Sequence, residues 1–330
     1  MTNSHPIGAI LIVRKLEARH LEAIQKAAPK ANLIFTKDRK ELLDKIDEYM
    51  PSVEVVLMSP SLDAILVPPV LRGPRLRWIQ QVSAGANWLM DYPEVVQSNL
   101  LITNASGIHG IPISEHILAF MLILARDFQR SLQEQIKHHW NKDHPATELE
   151  RTTVGIIGVG HIGEKTAEKA KAFHMRVLGV RRNPSRSSPW VDQMFGSDRL
   201  LEMLPQVDWV VITAALTQET KGIIGERELK AMKKSAYLIN AARGSIIQEK
   251  ALIKALREGW IAGAGLDVFE EEPLPADSPL WDMENVIITS HYAGLSSKYN
   301  DRLTEIFTEN LRRYQAGEPL INLLDKRLGY

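Results

Sequence analysis

The stretch Val154–Gly163, VGIIGVGHIG, runs directly into EKTAEKAKAF and then into the apolar segment Met175–Val180. Its start reads as a buried β-strand, its glycines as G-x-G-x-x-G, and the charged continuation as a helix. Each glycine then has a mechanical reason. Gly158 permits a tight turn, Gly160 lets a pyrophosphate approach the backbone, and Gly163 lets helix and strand pack closely. The helix N-terminus, with His161 and Ile162, supplies N–H groups and a partial positive charge. Alone the glycines describe a plain turn equally well; between a strand and a helix that leads to a second strand, they predict a dinucleotide site.

That second strand ends in Arg181-Arg182-Asn183-Pro184-Ser185. A fold that prefers NAD places Asp or Glu about twenty residues past the glycines, where it binds the ribose hydroxyls and repels a 2′-phosphate. Arg181 stands there instead, 18 residues after Gly163, with Arg182 beside it. A guanidinium fork suits a phosphate, so NADP(H) is expected over NAD(H). The plainer alternative is a pair of surface arginines at the edge of a sheet.

Six β-rich segments follow from Thr153, with helical patterns between most of them: Val154–Gly158, Val177–Arg181, Trp209–Ala214, Tyr237–Ala241, Ile261–Val268 and Val286–Ser290. This rhythm predicts a doubly wound Rossmann-type parallel sheet. The first hundred residues alternate in the same way: Ala9–Val13, Leu16–Ala28, Leu33–Thr36, Asp38–Met50, Val53–Met58, Leu76–Val82 and Leu100–Thr103. They predict a second parallel sheet covered on both faces. Between the two lies the longest helical pattern, Ile111 to Trp140, which reads as one helix. Its His138-His139 pair, near His144, invites a metal; adjacent helical positions point about 100° apart, so exposed histidines are the expectation and no metal is assigned. The chain closes with a helix from Ser296 to Ala316 and the tail INLLDKRLGY.

At 330 residues and roughly 150 residues per domain, the length fits two domains. Lys+Arg at 40 balance Asp+Glu at 40, which argues against a polyanion and hence against a nucleic-acid partner. With no cysteine, any covalent or metal chemistry falls to His, Ser, Lys or carboxylates. The longest apolar run, Ile117–Ala125, is far short of the ~18 residues of a membrane span, and the start MTNSHPIGAILIV has no basic leader pattern. A cytoplasmic, unprocessed protein without membrane contact is the expectation.

Three more polar groups sit just past expected strands. Arg243 follows Tyr237–Ala241 in NAARGS, where Ser245 and Gln248 have the spacing of a capping box. Asp267 and Glu272 lie at and beyond the end of GAGLDVFEEEP, and His291 follows VIITS. In an open parallel sheet, ligands bind outside the carboxyl ends of the strands, so these residues should meet the glycine loop in one crevice. Ala241, Ala242 and Gly294, in the same segments, join the expected cofactor contacts. Singly each has a plainer reading: Arg243 as a solvated turn residue, Glu272 as part of an acidic run, His291 as a core histidine.

The segments GIIGVGHIG, LKAMKKSAYLINAARGS, GAGLDVFEEEPL and ITSHYAG, with NASGIHGIPISEHIL and QQVSAGAN upstream, resemble the D-isomer-specific 2-hydroxyacid dehydrogenase family. That family includes glyoxylate, hydroxypyruvate and phosphoglycerate dehydrogenases. The resemblance implies an α/β architecture in which a Rossmann-type coenzyme domain, residues 104–295, is inserted into a smaller flavodoxin-like substrate domain built from 1–103 and 296–330. It implies hinges near Asn104–Gly110 and Gly294–Ser297, and a homodimer. Arg243 becomes the substrate-binding arginine, Glu272 and His291 the acid/base pair, and Asp267 a partner of the nicotinamide side. Ser83-Ala84-Gly85 becomes the loop whose amides meet the substrate carboxylate. Two departures stand out: Arg181 replaces the acidic residue of NAD-using members, and Ala214-Ala215-Leu216-Thr217 lacks a proline often found before Leu-Thr.

The implied reaction interconverts a 2-oxo acid and a D-2-hydroxy acid by hydride transfer from a nicotinamide. Arg243 binds the carboxylate, and a protonated His291, favoured by the Glu272 carboxylate, donates to the developing alkoxide. Two rivals share the fold. One is a nicotinamide-sensing corepressor-like regulator; the other is a formate dehydrogenase, a group that pairs its His with Gln rather than Glu.

Overall fold

The structure is a computed structural model that describes residues 6–35, 39–85 and 87–326. The chain divides into two compact units, Met1–Ile108 with Ser296–Tyr330, and His109–Leu295.

The first unit carries five parallel strands, β1 (Ala9–Ile12), β2 (Asn32–Phe35), β3 (Val55–Met58), β4 (Trp78–Gln81) and β5 (Leu101–Thr103). Their spatial order is β2-β1-β3-β4-β5, the flavodoxin-like winding. β1, β3 and β4 are buried along their whole length, as strands covered on both faces must be. Alternate side chains feed two cores. Leu11, Val56, Met58 and Ile79 pack with Leu42, Ile46 and Met50. Ile10, Ile12, Leu57 and Trp78 pack with Ile24 and, from the last helix, Leu303, Phe307 and Leu311. That helix, Tyr299–Ala316, thus completes a core begun three hundred residues earlier. Thr36 and Asp38, where an expected strand ends and an expected helix begins, lie outside the described residues, as do residues 327–330 of the tail.

The second unit holds seven parallel strands, β6 (Thr153–Ile157), β7 (Arg176–Val180), β8 (Gln193–Phe195), β9 (Trp209–Ile212), β10 (Tyr237–Asn240), β11 (Gly263–Leu266) and β12 (Val286–Ile288). Their order is β12-β11-β10-β9-β6-β7-β8, which reverses direction between β6 and β9. This is the doubly wound Rossmann arrangement, with its switch point beside the glycine loop. β8 escaped the sequence reading: three residues at a sheet edge are too few to show a period.

Two expectations are corrected. The helical pattern from Ile111 to Trp140 is two helices, Gly110–Ala125 and Phe128–Ile136, broken where Asp127 turns left-handed at φ 55°. Long-range partners hold the break: Thr147 N–H donates to the Ala125 carbonyl at 2.7 Å, and His144 Nδ1 meets Asp127 Oδ2 at 2.8 Å. His139 is instead paired with Glu134. Nor do Ser245 and Gln248 form a capping box. The helix starts one residue after Gln248, as Glu249–Arg257, and the Gln248 amide donates to the Gly222 carbonyl at 2.9 Å. Among the described residues no helix is long and apolar enough to cross a membrane.

Candidate active site

The registers of the second sheet place Val180, Ile157, Ile212, Asn240, Leu266 and Ile288 in one row across β7, β6, β9, β10, β11 and β12. The chain leaves every one of these strands at the same edge. Arg181, Gly158, Ala241 to Arg243, Asp267 and Thr289 to His291 all lie within three residues of that row. The sheet therefore gathers along one edge the residues that the sequence scatters over more than a hundred positions.

At the switch point, Gly158 has φ 98°, and a Cβ there would lie 2.4 Å from the Ala214 backbone. Gly163 could carry no side chain either, since its Cβ would stand 2.5 Å from the Gly158 carbonyl. At Gly160, the N-cap of the helix His161–Ala172, a Cβ would meet nothing within 4 Å. The loop is thus closed against the protein at two glycines and open at the third, a cradle that fits a dinucleotide pyrophosphate.

The two arginines after β7 part company. Arg181 folds back over the loop: its guanidinium donates to the carbonyl of Val159 and, at 3.0 Å, to that of Arg186, and lies 3.9 Å from Glu164. Only 12% of its side chain is exposed, and burial, followed by the charge of Arg186, lowers its pKa from the usual arginine value against the pull of Glu164. Arg182 stands 62% exposed, 3.3 Å from Glu219. Arg181 therefore bolts the glycine loop, and Arg182 is the guanidinium that faces solvent.

At β10, Asn240 shapes the turn by donating to the Arg243 carbonyl at 3.0 Å and accepting from Ala242 N–H at 3.1 Å. The exposed Arg243 guanidinium donates to the Ala242 carbonyl at 2.7 Å. Gly244 is obligatory, because a Cβ would sit 1.8 Å from the Phe269 carbonyl carbon. The bare Cα lets the chain after β10 pass against Phe269, three residues beyond β11.

Glu272 accepts from Phe269 N–H at 3.1 Å through Oε1 and meets His291 Nδ1 at 2.6 Å through Oε2. His291 has φ 53°, a left-handed conformation that costs a branched or bulky residue about 1–2 kcal/mol. Asp267, only 2% exposed, holds it there. Its backbone carbonyl accepts from His291 N–H at 2.8 Å, and its carboxylate accepts from Tyr292 and Ala293 N–H at 3.0 and 3.1 Å. Those oxygens are thus engaged with the protein itself. Gly294 sits against His109, whose Nδ1 is 3.3 Å from its carbonyl.

In the first unit, the loop Ser83-Ala84-Gly85 has its carbonyls tied inward. The Gln81 amide donates to those of Ser83 and Gly85 at 3.0 and 2.7 Å, and Asn104 to that of Ala84 at 2.9 Å. Ala86 of the same motif lies outside the described residues. Gln81 and Asn104, both buried, were missed by the sequence reading. The signal was there: a strand reading WIQQ that buries two glutamines needs a polar task for them. Among the described residues no group of three or more His, Asp or Glu is placed to hold a metal.

A family model described as D-isomer specific 2-hydroxyacid dehydrogenase, NAD binding domain, matches residues 118–293. A glyoxylate reductase of Korarchaeum cryptofilum is 33% identical over 325 residues, covering 92% of this chain and 96% of that protein. Among solved structures, a D-isomer specific 2-hydroxyacid dehydrogenase family protein from Aeromonas salmonicida superposes with a TM-score of 0.84 at 30% identity, over 97% of this chain and 99% of that one. A D-isomer specific 2-hydroxyacid dehydrogenase from Xanthobacter autotrophicus, in complex with NADPH and MES, gives 0.79 at 30% identity over 98% and 99%.

Proposed function

The chain belongs to the D-isomer specific 2-hydroxyacid dehydrogenase family, and from that premise we propose that it reduces small 2-oxo acids, glyoxylate first among them, to D-2-hydroxy acids with NADPH. The observation that carries the reading is the His291–Glu272 pair at 2.6 Å, two strand ends from Arg243. A histidine paired with glutamate rather than glutamine also separates it from the formate dehydrogenase alternative.

When bound, the nicotinamide supplies the hydride. The remaining work falls to the chain. Arg243 binds the substrate carboxylate by charge-assisted contact and polarises the carbonyl. Glu272, fixed by Phe269 N–H, engages Nδ1 of His291 and leaves Nε2 to donate a proton to the alkoxide as it forms, or to accept one in the reverse direction. The amides of Ser83, Ala84 and Gly85, on a loop whose carbonyls Gln81 and Asn104 hold, are assigned to the carboxylate as well. Gly158, Gly160, His161, Ile162 and Gly163 hold the pyrophosphate, Ala241, Ala242 and Gly294 add cofactor contacts along the same strand edge, and Asp267 serves the nicotinamide side through the turn that its oxygens hold. Glyoxylate, hydroxypyruvate, pyruvate and bulkier 2-oxo acids, each assayed with NADH and NADPH by nicotinamide absorbance, test the proposal. Uniform lack of turnover sinks it and favours a cofactor-sensing role.

Preference for NADPH is supported by the exposed Arg182 and by the NADPH complex of the Xanthobacter relative. Losing one charge-assisted phosphate contact removes about 1.5–3 kcal/mol. Arg182→Ala should therefore raise the KM for NADPH about 10- to 100-fold and leave that for NADH nearly unchanged. Arg181→Ala should impair both cofactors, because it unbolts the loop. Equal loss with both cofactors in Arg182→Ala would remove Arg182 from the 2′-phosphate.

We further propose a cytoplasmic homodimer. Phe128, Leu132 and Ile136 repeat every fourth residue along one helix, with Trp140 in the same spacing beyond it, and they are 51%, 59%, 80% and 85% exposed. An apolar stripe of this size on a soluble chain marks a contact surface. Light scattering should give twice the chain mass for the wild type and the chain mass for Leu132→Glu/Ile136→Glu. A monomeric wild type refutes the dimer.

A further inference from the structure

The turn that carries His291 is held by two residues to which the reaction gives no role. Thr289 Oγ1 meets Asp267 Oδ1 at 2.5 Å, and His116 Nε2 lies 2.9 Å from that same Thr289 oxygen. Both Asp267 oxygens already face backbone N–H donors, from Tyr292 and Ala293, so the carboxylate accepts and the Thr289 hydroxyl proton points to it. With its proton spent there, Thr289 Oγ1 has only lone pairs left for the imidazole. His116 must then present Nε2–H, a tautomer assigned by its partners. Burial lowers the pKa of His116 from the usual histidine value, against the opposing charge of Asp267 at 3.8 Å. Burial thus favours the neutral ring, which donates from that one nitrogen.

The same ring stands edge-on to Tyr292, with centroids 5.4 Å apart, and to Phe120 at 4.6 Å. His116, on the helix Gly110–Ala125, therefore touches the turn on both sides of His291, at Thr289 and at Tyr292. A left-handed histidine persists only where its surroundings over-determine it, and this chain of donors supplies the constraint.

We propose that His116 and Thr289 are positioning residues for His291: the chain from His116 Nε2–H through the Thr289 hydroxyl to Asp267 fixes the 289–293 turn. The proposal rests on His291 being the acid/base. Its test compares Thr289→Val and His116→Leu, which break the chain, with Thr289→Ser and His116→Gln, which keep a hydroxyl and a donor at the position of Nε2. The breaking variants should lose about 10- to 50-fold in kcat for the best 2-oxo acid, while the NADPH Kd and Tm stay close to wild type. Ser and Gln should restore kcat to within about threefold, and the double variant Thr289→Val/His116→Leu should fall no further than the worse single one, since both cut one chain.

In cofactor-free protein, the His291 ring resonances followed by NMR should move in Val and Leu and stay in place in Ser and Gln. If Thr289→Val does not fold, His116→Leu carries the comparison. Ser and Gln as poor as Val and Leu, multiplicative losses in the double variant, or unmoved His291 resonances would overturn the proposal. A wild type inert toward every 2-oxo acid would fell the activity, while the NMR comparison still decides whether the chain holds His291.

Discussion

His291→Asn should cripple turnover, lowering kcat for 2-oxo acid reduction by about 10²–10⁴-fold, while the folded protein keeps its affinity for NADPH. Asparagine is chosen because it tolerates the left-handed backbone that His291 occupies at φ 53°, so that the turn survives the exchange. It cannot, however, deliver a proton at neutral pH. The side chain is 48% exposed and pairs with Glu272, so little burial is lost. Thermal unfolding should shift by no more than a few degrees, and titration of nicotinamide fluorescence should give a Kd within about twofold. Glu272→Gln should sit between, losing about 10–100-fold, because the ring keeps a partner at Nδ1 and loses the charge. Retention of more than a tenth of wild-type kcat in His291→Asn would assign the proton transfer to another group.

What the sequence disclosed, and what it withheld, follow from how far apart the interacting residues lie. The glycine loop was legible because its strand, turn and helix are contiguous, and both sheets were legible because buried parallel strands announce themselves as short apolar runs. Arg243, Glu272 and His291 could be picked out because each follows a strand end, and the register of β10, β11 and β12 brings those ends side by side. The break at Asp127 was illegible. No Gly or Pro marks it, and the groups that hold it, Thr147 and His144, arrive about twenty residues later. The same distance hid the supports of the site. Thr289 gains meaning only beside Asp267 and His116, residues 22 and 173 positions away, and Gln81 only through the carbonyls of the loop that follows it. Arg181 was legible as an arginine in the cofactor position, but its contact with the carbonyl of Val159 was not, since nothing local says that a side chain turns back rather than outward.

The second large effect is expected at Arg243. Its guanidinium is exposed but not loose: the Ala242 carbonyl accepts from Nη1 at 2.7 Å, Asn240 clamps the backbone on both sides, and Gly244 leaves no freedom in the turn that follows. This preorganisation means that little is lost in orienting it when the substrate arrives. Removing one such contact to a carboxylate costs about 1.5–3 kcal/mol, and removing a donor aimed at developing oxyanion charge about 2.7–4 kcal/mol more. Arg243→Ala should therefore lower kcat/KM for 2-oxo acids by about 10³–10⁵-fold, with both KM and kcat affected. Arg243→Lys keeps the charge without the fork and should recover only part of this, because an ammonium cannot reach carboxylate and carbonyl in one plane. NADPH affinity should be unchanged in both, which separates a substrate role from general damage to the strand edge. Near wild-type kcat/KM in Arg243→Ala would show that the carboxylate is bound by backbone amides alone and would transfer the specificity for 2-oxo acids from Arg243 to the Ser83–Gly85 loop.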